Sequence, residues 1–482
     1  MNSSINKKLF RAKELLILNY SFLILLSSCS VSSQISKVAN KTILADSATS
    51  NAFIGISIYD PATGKYLYNY NATKYFTPAS NTKLFTLYAG MRYLGDSLVG
   101  IRYLEKKWDA TFIMPTGDPT FLNPEFKNQP VFEFFKKNKN DLFFIKTILQ
   151  FENLGSGWAW DDYNDDYMAE RSVFPIYGNV FRFSHRDKYL ISIPYIRPQD
   201  FTPSIMGIKF NDSLKYYFSG FDSGFLKREP YSNKINFIEI GKKFVSQEVP
   251  IHIDYSRITH WLEDTIANST TNIYKIYSGL QESTYSYDSK TNLIKGLYDR
   301  SEIRNPVFKT IHSQPTDSLF RPMMHRSDNF FAEQTLLMVS NERLGYMSDA
   351  DIIDTLLTTD LRDIPQKPKW VDGSGLSRYN LFTPQAFIYI LNKLRDEFGW
   401  DRVRNILPTG GEGTLTSYFH NDRGFIYAKT GTLSNNCALS GFLLTNSGKT
   451  LIFSILANHY QTGATPIRKA SERFLEEIRR KY

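Results

Sequence analysis

A serine and a lysine three residues apart, Ser80 and Lys83, begin an apolar helical pattern early in the chain. Apolar residues recur at the i, i+3, i+4 and i+7 spacing as far as Leu94, which is typical of a helix buried on one side. Residues three positions apart share a helix face, so the Ser80 hydroxyl and the Lys83 amine can point into one cleft. An ordinary core helix with a capping serine gives the same pattern, so the pair needs support from elsewhere in the chain.

The chain has 482 residues, of which 42% are hydrophobic and 22% charged, and this length allows two or three domains. The net charge is +9, and residues 1–28 carry +3 of it. No arginine-rich helix or basic-aromatic repeat occurs, so nucleic acid is not an expected partner. The seven histidines show no His-x-x-x-His spacing, which disfavours a metal hydrolase, and no cofactor or metal is expected.

The first 28 residues have the composition of an export signal. Basic residues precede an apolar run at 15–26, which is too short to span a bilayer comfortably. The run ends in Leu-Ser-Ser-Cys29, which resembles the lipobox of bacterial lipoproteins and implies that cleavage leaves Cys29 lipidated. A plain signal peptide with an incidental cysteine is the alternative. The only other cysteine is Cys437, so lipidation leaves no pair for a disulfide.

We therefore expect an exported protein of the periplasmic cell envelope, anchored in a membrane through Cys29, with a polar tether at residues 29–50. Beyond the tether, residues 52–59 and 66–70 predict a hairpin, and 424–456 predict an antiparallel meander. Residues 106–316 alternate short apolar runs with Gly, Pro, Asn and Asp, which indicates strands.

The predicted fold class is α+β. Residues 51–105 and 317–482 form one domain, in which an antiparallel sheet is flanked by helices. The β-rich residues 106–316 interrupt it as an insertion of one or two subdomains. Amphipathic patterns predict helices at Pro384 to Phe398 and Ile467 to Arg480.

Two further short motifs follow Ser80-Asn81-Thr82-Lys83: Ser327-Asp328-Asn329 at the start of a helical pattern, and Lys429-Thr430-Gly431 on a strand. In this order the three resemble the signatures of penicillin-binding proteins and serine β-lactamases. Ser327 lies 247 residues after Ser80, and Lys429 lies 102 after Ser327. The long first interval resembles the class C low-molecular-mass penicillin-binding proteins, which are D-alanyl-D-alanine carboxypeptidase/endopeptidases.

The resemblance implies a transpeptidase-like fold and a role for each motif residue. Ser80 is the nucleophile and Lys83 is its base. Burial and a second cation, Lys429, must lower the pKa of Lys83. Ser327 relays a proton to the leaving nitrogen, and Asn329 holds the substrate amide. The backbone N–H groups of Ser80 and Thr432 form the oxyanion hole. The expected substrate-binding residues are Thr430, Gly431 and Thr432.

Arg378 and Ser434 match positions where relatives contact the charged end of a stem-peptide side chain. A turn-stabilising arginine is the alternative for Arg378. The aspartate that relatives use for this contact has no clear counterpart, because the segment at residues 147–152, before Gly157, is shorter than in those relatives. The acidic pair in residues 158–162 can contact substrate or lie at the surface.

The expected function is serine-type D-alanyl-D-alanine carboxypeptidase/endopeptidase action on peptidoglycan stem peptides, through an acyl-enzyme at Ser80. The expected partners are those peptides, β-lactams and, through the anchor, a membrane. A serine β-lactamase and a non-catalytic cell-wall-binding lipoprotein are the alternatives. Intact catalytic motifs disfavour the binding protein, and the insertion disfavours the β-lactamase.

Overall fold

The structure is a computed structural model, and it describes residues 31–106, 110–145, 150–186, 189–194, 196, 208–211, 215–218, 223–244, 246–253, 255–266, 273–276 and 307–482. The predicted export signal, Cys29 and residues 147–149 lie outside the described residues. None of the helices within these ranges is both long and apolar enough to cross a membrane.

The described strands are β1 (Phe53–Asp60), β2 (Lys65–Tyr70), β3 (Ser97–Lys106), β4 (Ala110–Pro115), β5 (Asp141–Ile145), β6 (Val180–Arg186), β7 (Tyr189–Ile193), β8 (Ile208–Asn211), β9 (Lys215–Phe218), β10 (Ser223–Arg228), β11 (Ile235–Lys243), β12 (Ser246–Pro250), β13 (Ile273–Ile276), β14 (Lys309–Pro315), β15 (Ile426–Leu433), β16 (Asn436–Leu444) and β17 (Thr450–Asn458).

The described α-helices are α1 (31–39), α2 (Lys83–Tyr93), α3 (Pro130–Lys137), α4 (Tyr255–Ile266), α5 (Thr316–His325), α6 (Asn329–Leu344), α7 (Asp349–Thr358), α8 (Pro384–Phe398), α9 (Trp400–Ile406) and α10 (Ala464–Lys481). The chain forms two compact units. The first contains residues up to Asn81, Ile364–Pro368 and Leu381–Tyr482, and the second contains Thr82–Asp363 and Lys369–Asn380.

A five-stranded antiparallel sheet in the first unit joins the two ends of the chain. Its strand order is β15-β16-β17-β1-β2. Ile56 of β1 lies opposite Ile455 of β17, so the N-terminal hairpin extends the C-terminal meander. The predicted hairpin, meander and shared sheet are confirmed.

The two faces of this sheet pack against different helices, because alternate residues of a strand point to opposite sides. Ile54, Ile56 and Ile58 share a buried core with residues of α10, among them Phe474. Gly55 faces the other way, and a Cβ there would lie 2.9 Å from Pro384 Cγ, so the glycine lets α8 pack close to β1. The helix α8 has the predicted bounds, with proline at its first position and the Thr383 side chain accepting a bond from the Ala386 amide.

Residues 31–44 differ from the expected polar tether. They are helical, with α1 followed by a π-helical turn at Asn40–Leu44. Ile35, Val38 and Ile43 are buried in the same core as α10. Their spacing of three to five residues places them on one side of the helix, and burying that apolar face stabilises an ordered segment where polar neighbours suggested an extended one.

The second unit contains most of the strands. Two five-stranded sheets have the orders β13-β5-β4-β3-β14 and β12-β6-β7-β9-β8, and β10 and β11 form a hairpin. The predicted strand-rich insertion is confirmed. Its core is aromatic, as in the edge-to-face contact of Phe181 with Trp261 at 5.7 Å. In the same unit α2 packs against α6, and Gly90 makes that approach possible, because a Cβ there would lie 2.9 Å from Thr335.

Candidate active site

Ser80 lies in a 3-10 turn, Ala79–Thr82, that leads directly into α2. Ala79, Asn81 and Thr82 are buried, whereas Ser80 itself is partly exposed. The N-cap of α2 is Thr82, so Ser80 is not the capping residue of that helix. Ala79 has a φ of 48°, a strained conformation for a residue with a side chain. The turn thus presents one hydroxyl to solvent from an otherwise buried segment.

Strand β15 passes against the backbone of this turn within the first unit. A Cβ on Gly431 would lie 2.6 Å from Pro78 O and 3.1 Å from the amide nitrogens of Ser80 and Asn81. Only glycine permits this approach without displacing backbone atoms. The Lys-Thr-Gly motif therefore lies beside the Ser80 amide, as the resemblance implies.

The remaining residues of this motif line the same strand, which is the edge of its sheet. Lys429 is fully buried, and its Nζ donates to the Thr430 carbonyl at 2.8 Å. The Thr430 hydroxyl donates to Thr414 Oγ1 at 2.7 Å. Thr432 is exposed, and its hydroxyl accepts a hydrogen bond from Arg468 Nη2 on α10.

Lys83, in the second unit, is held by two acceptors. Its Nζ donates to Asn329 Oδ1 at 2.6 Å and to the Ser374 carbonyl at 2.7 Å. The side chain is completely buried. These two bonds hold the amine in a fixed orientation.

Burial lowers the pKa of Lys83 to about 8, against the carboxylates of Asp372, Asp328 and Glu333, which raise it. Near pH 8 about half of the Lys83 side chains are then neutral. Burial was one of the two expected causes. The other, a second cation at Lys429, stays a prediction.

A buried charge network lies behind Lys83. Glu333 Oε1 accepts a bond from the Ser374 amide at 2.7 Å, so the backbone of Ser374 connects Glu333 to the Lys83 amine. Arg171 donates to Glu333 at 3.3 Å and to Asp349 at 2.5 Å. Burial raises the pKa of Glu333, and the Asp372 charge adds to this effect. The network fixes the carbonyl that holds Lys83.

Asp372 organises the turn that contributes this carbonyl. Its carboxylate accepts bonds from the amides of Gly375 and Ser377, from Asn380 Nδ2 and from Trp158 Nε1, at 2.6–3.0 Å. A carboxylate with this many donors is a strong fixed anchor for a loop. Residues 372–380 were part of the resemblance, but no role was predicted for Asp372 or Ser374.

The Ser327-Asp328-Asn329 motif begins α6 as expected. Asp328 is the N-cap, and its carboxylate accepts a bond from the Phe331 amide at 2.8 Å. Ser327 has a φ of 65°, a strained conformation for a residue with a side chain. Asn329 Nδ2 donates to the Tyr167 carbonyl at 3.0 Å, which orients its Oδ1 toward Lys83.

A cavity of about 370 Å³ in the second unit has Ser327 and Asn329 on its wall. The charged residues that also line it are Glu125, Asp166, Arg182, Glu248, Arg326 and Asp328. Arg326 pairs with Glu125 at 2.5 Å. A molecule that reaches Asn329 therefore meets polar, charged surroundings in this unit.

Arg378 and Ser434, the two predicted side-chain contacts, are both exposed. Arg378 is in the second unit, where its amide donates to the Gly157 carbonyl at 3.2 Å. Its positive charge opposes the rise in the Asp162 pKa that desolvation and neighbouring aspartates cause. Ser434 lies in the turn between β15 and β16 of the first unit. Residues 160–162 form an exposed 3-10 turn, with Trp160 80% exposed.

The structure thus brings the predicted residues together in two sets. Ser80 lies beside Gly431 in the first unit, and Lys83 bonds Asn329 in the second. Sequence reasoning missed five residues around these sets: Arg171, Glu333, Asp372, Ser374 and Arg468. Across the described ranges, no group of three or more His, Cys, Asp or Glu side chains is arranged to hold a metal ion.

Comparison with known proteins identifies the family. The model of the D-Ala-D-Ala carboxypeptidase 3 (S13) family matches residues 37–189 and 298–478, more than half of the chain. The interval between the two matched ranges falls inside the predicted insertion.

Two curated relatives match over most of their length. A D-alanyl-D-alanine carboxypeptidase of Actinomadura sp. is 24% identical over 458 residues, which are 88% of this chain and 81% of the relative. A penicillin-sensitive carboxypeptidase A of Dictyostelium discoideum is 23% identical over 461 residues, with 85% and 83% covered.

Among solved structures, the crystal structure of penicillin binding protein 4 from Haemophilus influenzae superposes with a TM-score of 0.67. The identity is 16%, and the match covers 92% of this chain and 99% of that one. This likeness establishes the fold. The split match of the family model indicates the insertion.

Proposed function

The chain belongs to the D-Ala-D-Ala carboxypeptidase 3 (S13) family, and on this basis we propose that Ser80 is its nucleophile and Lys83 the general base. The enzyme is a serine-type D-Ala-D-Ala carboxypeptidase/endopeptidase of peptidoglycan that binds penicillin. The burial of Lys83 carries the assignment. Removal from water lowers the pKa of its amine to about 8, so the neutral form that can accept a proton is populated.

Lys83 takes the proton of the Ser80 hydroxyl as that oxygen attacks the carbonyl carbon of the penultimate D-alanine. The hydrogen bonds from the Lys83 amine to Asn329 Oδ1 and Ser374 O support this role, because they fix the position of the amine. The pKa of about 8 keeps a useful fraction neutral at physiological pH while the amine stays basic enough to act.

Backbone N–H groups of Ser80 and Thr432 stabilise the oxyanion that forms on the attacked carbonyl. The close approach of Gly431 to the Ser80 amide supports this role, because the strand that carries Thr432 thus lies against the backbone of the nucleophile. Removal of one such donor typically slows acyl transfer about 10²- to 10³-fold.

Ser327 relays the proton from Lys83 to the leaving nitrogen, with Lys429 as the nearby cation, and D-alanine departs. Water then hydrolyses the Ser80 ester and restores the hydroxyl. The strained φ of Ser327 supports a functional role, since a non-glycine residue keeps such a conformation only where its surroundings require it. Thr430, Gly431 and Thr432 bind the peptide, with the hydroxyls on its terminal carboxylate.

Arg378 and Ser434 bind the charged end of the stem-peptide side chain. The exposure of both residues supports this role, because neither hydroxyl nor guanidinium is enclosed by the core. Asp162 is the acidic neighbour of Arg378 and can contribute a carboxylate to the same contact.

A cell-wall peptidase family implies export of this chain. Lipidation of Cys29 gives a membrane-anchored lipoprotein of the periplasmic cell envelope. The proposed domain boundaries are those of the sequence: the signal at 1–28, the insertion at 106–316, and the transpeptidase-like parts on either side of it.

Fluorescent penicillin labelling tests the nucleophile. We expect covalent label on the wild type and none on Ser80→Ala. Ser447→Ala, in the turn between β16 and β17, is the labelled serine control. Label that persists on a folded Ser80→Ala variant contradicts the assignment. Release of D-alanine from purified peptidoglycan, compared with the appearance of uncrosslinked peptides, then measures the two peptidase activities.

A further inference from the structure

Glu333 is a buried carboxylate to which the proposed reaction gives no role. It lies on α6, one turn after Asn329, and its side chain is only 1% exposed, which keeps it out of contact with a bound substrate. Its Oε1 accepts a bond from the Ser374 amide at 2.7 Å, and the Ser374 carbonyl accepts one from Lys83 Nζ at 2.7 Å. The backbone of one residue therefore separates this carboxylate from the proposed base.

The turn that contains Ser374 lies between α2 and α6 in the second unit. On the side of α2, the Gly373 carbonyl accepts a bond from the Thr86 hydroxyl at 2.6 Å. On the side of α6, a Cβ on Gly373 would lie 2.7 Å from the Ala332 carbonyl, an approach that a side chain there would block. Asp372 holds the amide that follows Ser374, and Glu333 holds the amide of Ser374 itself. The Ser374 carbonyl is thus fixed from both sides.

The charge of Glu333 acts on the same amine. Burial lowers the pKa of Lys83, and the carboxylates of Asp372, Asp328 and Glu333 oppose this effect. The charged groups that surround Glu333 belong to different parts of the second unit: Arg171, Asp349, Asp372 and Lys83. A neutral side chain at position 333 would therefore lower the pKa of Lys83, and the charge of Arg171, with one partner fewer, would act in the same direction.

We infer that Glu333 is a positioning residue for acylation, which orients the Ser374 carbonyl toward the Lys83 amine and sets the pH range in which that amine works. The inference rests on the proposed function, which makes Lys83 the base. A general base must lie within hydrogen-bond reach of the proton that it takes. A displacement of about 1 Å in an active site can slow a reaction about 100-fold, so the carbonyl that holds the amine contributes to the rate.

Penicillin acylation of Glu333→Ala and Glu333→Gln, measured against penicillin concentration and pH, tests both parts of the inference. In Glu333→Ala the Ser374 amide loses its acceptor, so the maximal acylation rate constant should fall about 100-fold, with no change in the half-saturating concentration. Glu333→Gln keeps an oxygen for that amide and should recover most of the rate. Both variants lack the charge, so the acid limb of their pH profiles should lie at lower pH than in the wild type.

Glu342→Ala is the matched control, because Glu342 is on the same helix and also pairs with an arginine, Arg102, at 2.6 Å. Its rate constant and pH midpoint should equal those of the wild type. A wild-type rate in Glu333→Ala, or a wild-type midpoint in Glu333→Gln, overturns the inference. So does a Glu333→Gln variant that is folded but as slow as Glu333→Ala, because a purely structural role gives no such rescue.

Urea unfolding shows whether each variant is folded. If Glu333→Ala does not fold, the rate and the midpoint of Glu333→Gln decide the question. The proposed function fails by a different result, namely absence of label on the wild type or label that survives Ser80→Ala.

Discussion

Lys83 Nζ and Asn329 Oδ1 are 2.6 Å apart, although 246 residues separate them in the chain. This bond joins the helix that follows the nucleophile to the helix that begins after the insertion. Asn329 is itself held by the Tyr167 carbonyl, so the orientation of the amine depends on residues from three parts of the second unit. The basicity of Lys83 should therefore respond to changes in any of them.

The first prediction concerns pH. Since burial lowers the pKa of Lys83 to about 8 and the neutral amine is the reactive form, acylation should accelerate as pH rises to that value. Below it, the second-order rate constant for penicillin labelling should fall about tenfold per pH unit, and above it the rate should level off. Stopped-time labelling between pH 6 and 9.5 measures this profile. A flat profile between pH 6 and 8 contradicts Lys83 as the base.

Two single-charge variants should move that profile in opposite directions. Asn329→Asp places a carboxylate beside the amine, which raises the pKa of Lys83 and moves the acid limb to higher pH. Asp328→Asn removes a carboxylate that raises this pKa, and the amide can still cap α6, so the limb moves to lower pH. The same labelling assay measures both midpoints. Shifts in the same direction count against electrostatic control of Lys83.

Gly431→Ala should slow acylation roughly 100-fold, as expected for loss of one oxyanion donor. The new Cβ would lie 2.6 Å from Pro78 O, and backbone atoms on both sides must separate to relieve the clash. Stability should fall by about 1–3 kcal/mol, measured by urea unfolding. Gly463→Ala is the control, because nothing lies within 4 Å of a Cβ there and its φ of −68° suits alanine. If Gly431→Ala is labelled at the wild-type rate, the proposal that this strand contributes to the oxyanion hole is wrong.

Arg171→Met should destabilise the protein by about 3–5 kcal/mol, because it leaves the buried carboxylate of Glu333 without its cation. Urea unfolding measures the loss. The control Arg362→Met removes an arginine whose side chain is 74% exposed and pairs with an exposed Asp363, so it should change the free energy of unfolding by less than about 0.5 kcal/mol. Equal effects of the two substitutions contradict the importance of the buried network.

Cys29→Ser should release the protein from membranes or leave it unprocessed, because the proposed lipid would be attached to that sulfur. Membrane and soluble fractions of cells, probed for the protein, show the partition. Cys437→Ser is the cysteine control, and it should stay with the membranes because Cys437 is buried in the described structure. If Cys29→Ser partitions with membranes as the wild type does, the proposed lipid anchor at Cys29 is wrong.

Local sequence patterns were sufficient to predict the helices and strands that are determined by residues close to one another in the chain. The helix Pro384–Phe398 has a threonine cap, a first-position proline and a following glycine, and its bounds were predicted in full. The order of the three motifs identified the family. The prediction of a polar tether at residues 31–44 was wrong. Their apolar pattern covers only a few residues, and the helix that it packs against, α10, is more than 400 residues away in the chain.

The second layer of the site was beyond sequence reasoning for a similar cause. Glu333 and Lys83 both bond the backbone of Ser374, and Arg171 contacts Glu333 from 162 residues away. No spacing in the chain encodes such contacts, because only the folded sheet and helices bring these groups together. The strained φ values of Ala79 and Ser327 have no sequence signature either, since neither residue is glycine.

The helical start of the described chain limits how far the enzyme could work from the proposed anchor at Cys29. Ile35 and Val38 are fixed in the core of the first unit, and the Tyr482 hydroxyl donates to the Val31 carbonyl at 2.9 Å. From Cys29 to Val31 the backbone can extend by only about 7 Å. The proposed lipid on Cys29 would therefore hold the folded body close to the headgroups. The substrates within its reach would then be the peptidoglycan peptides nearest the bilayer.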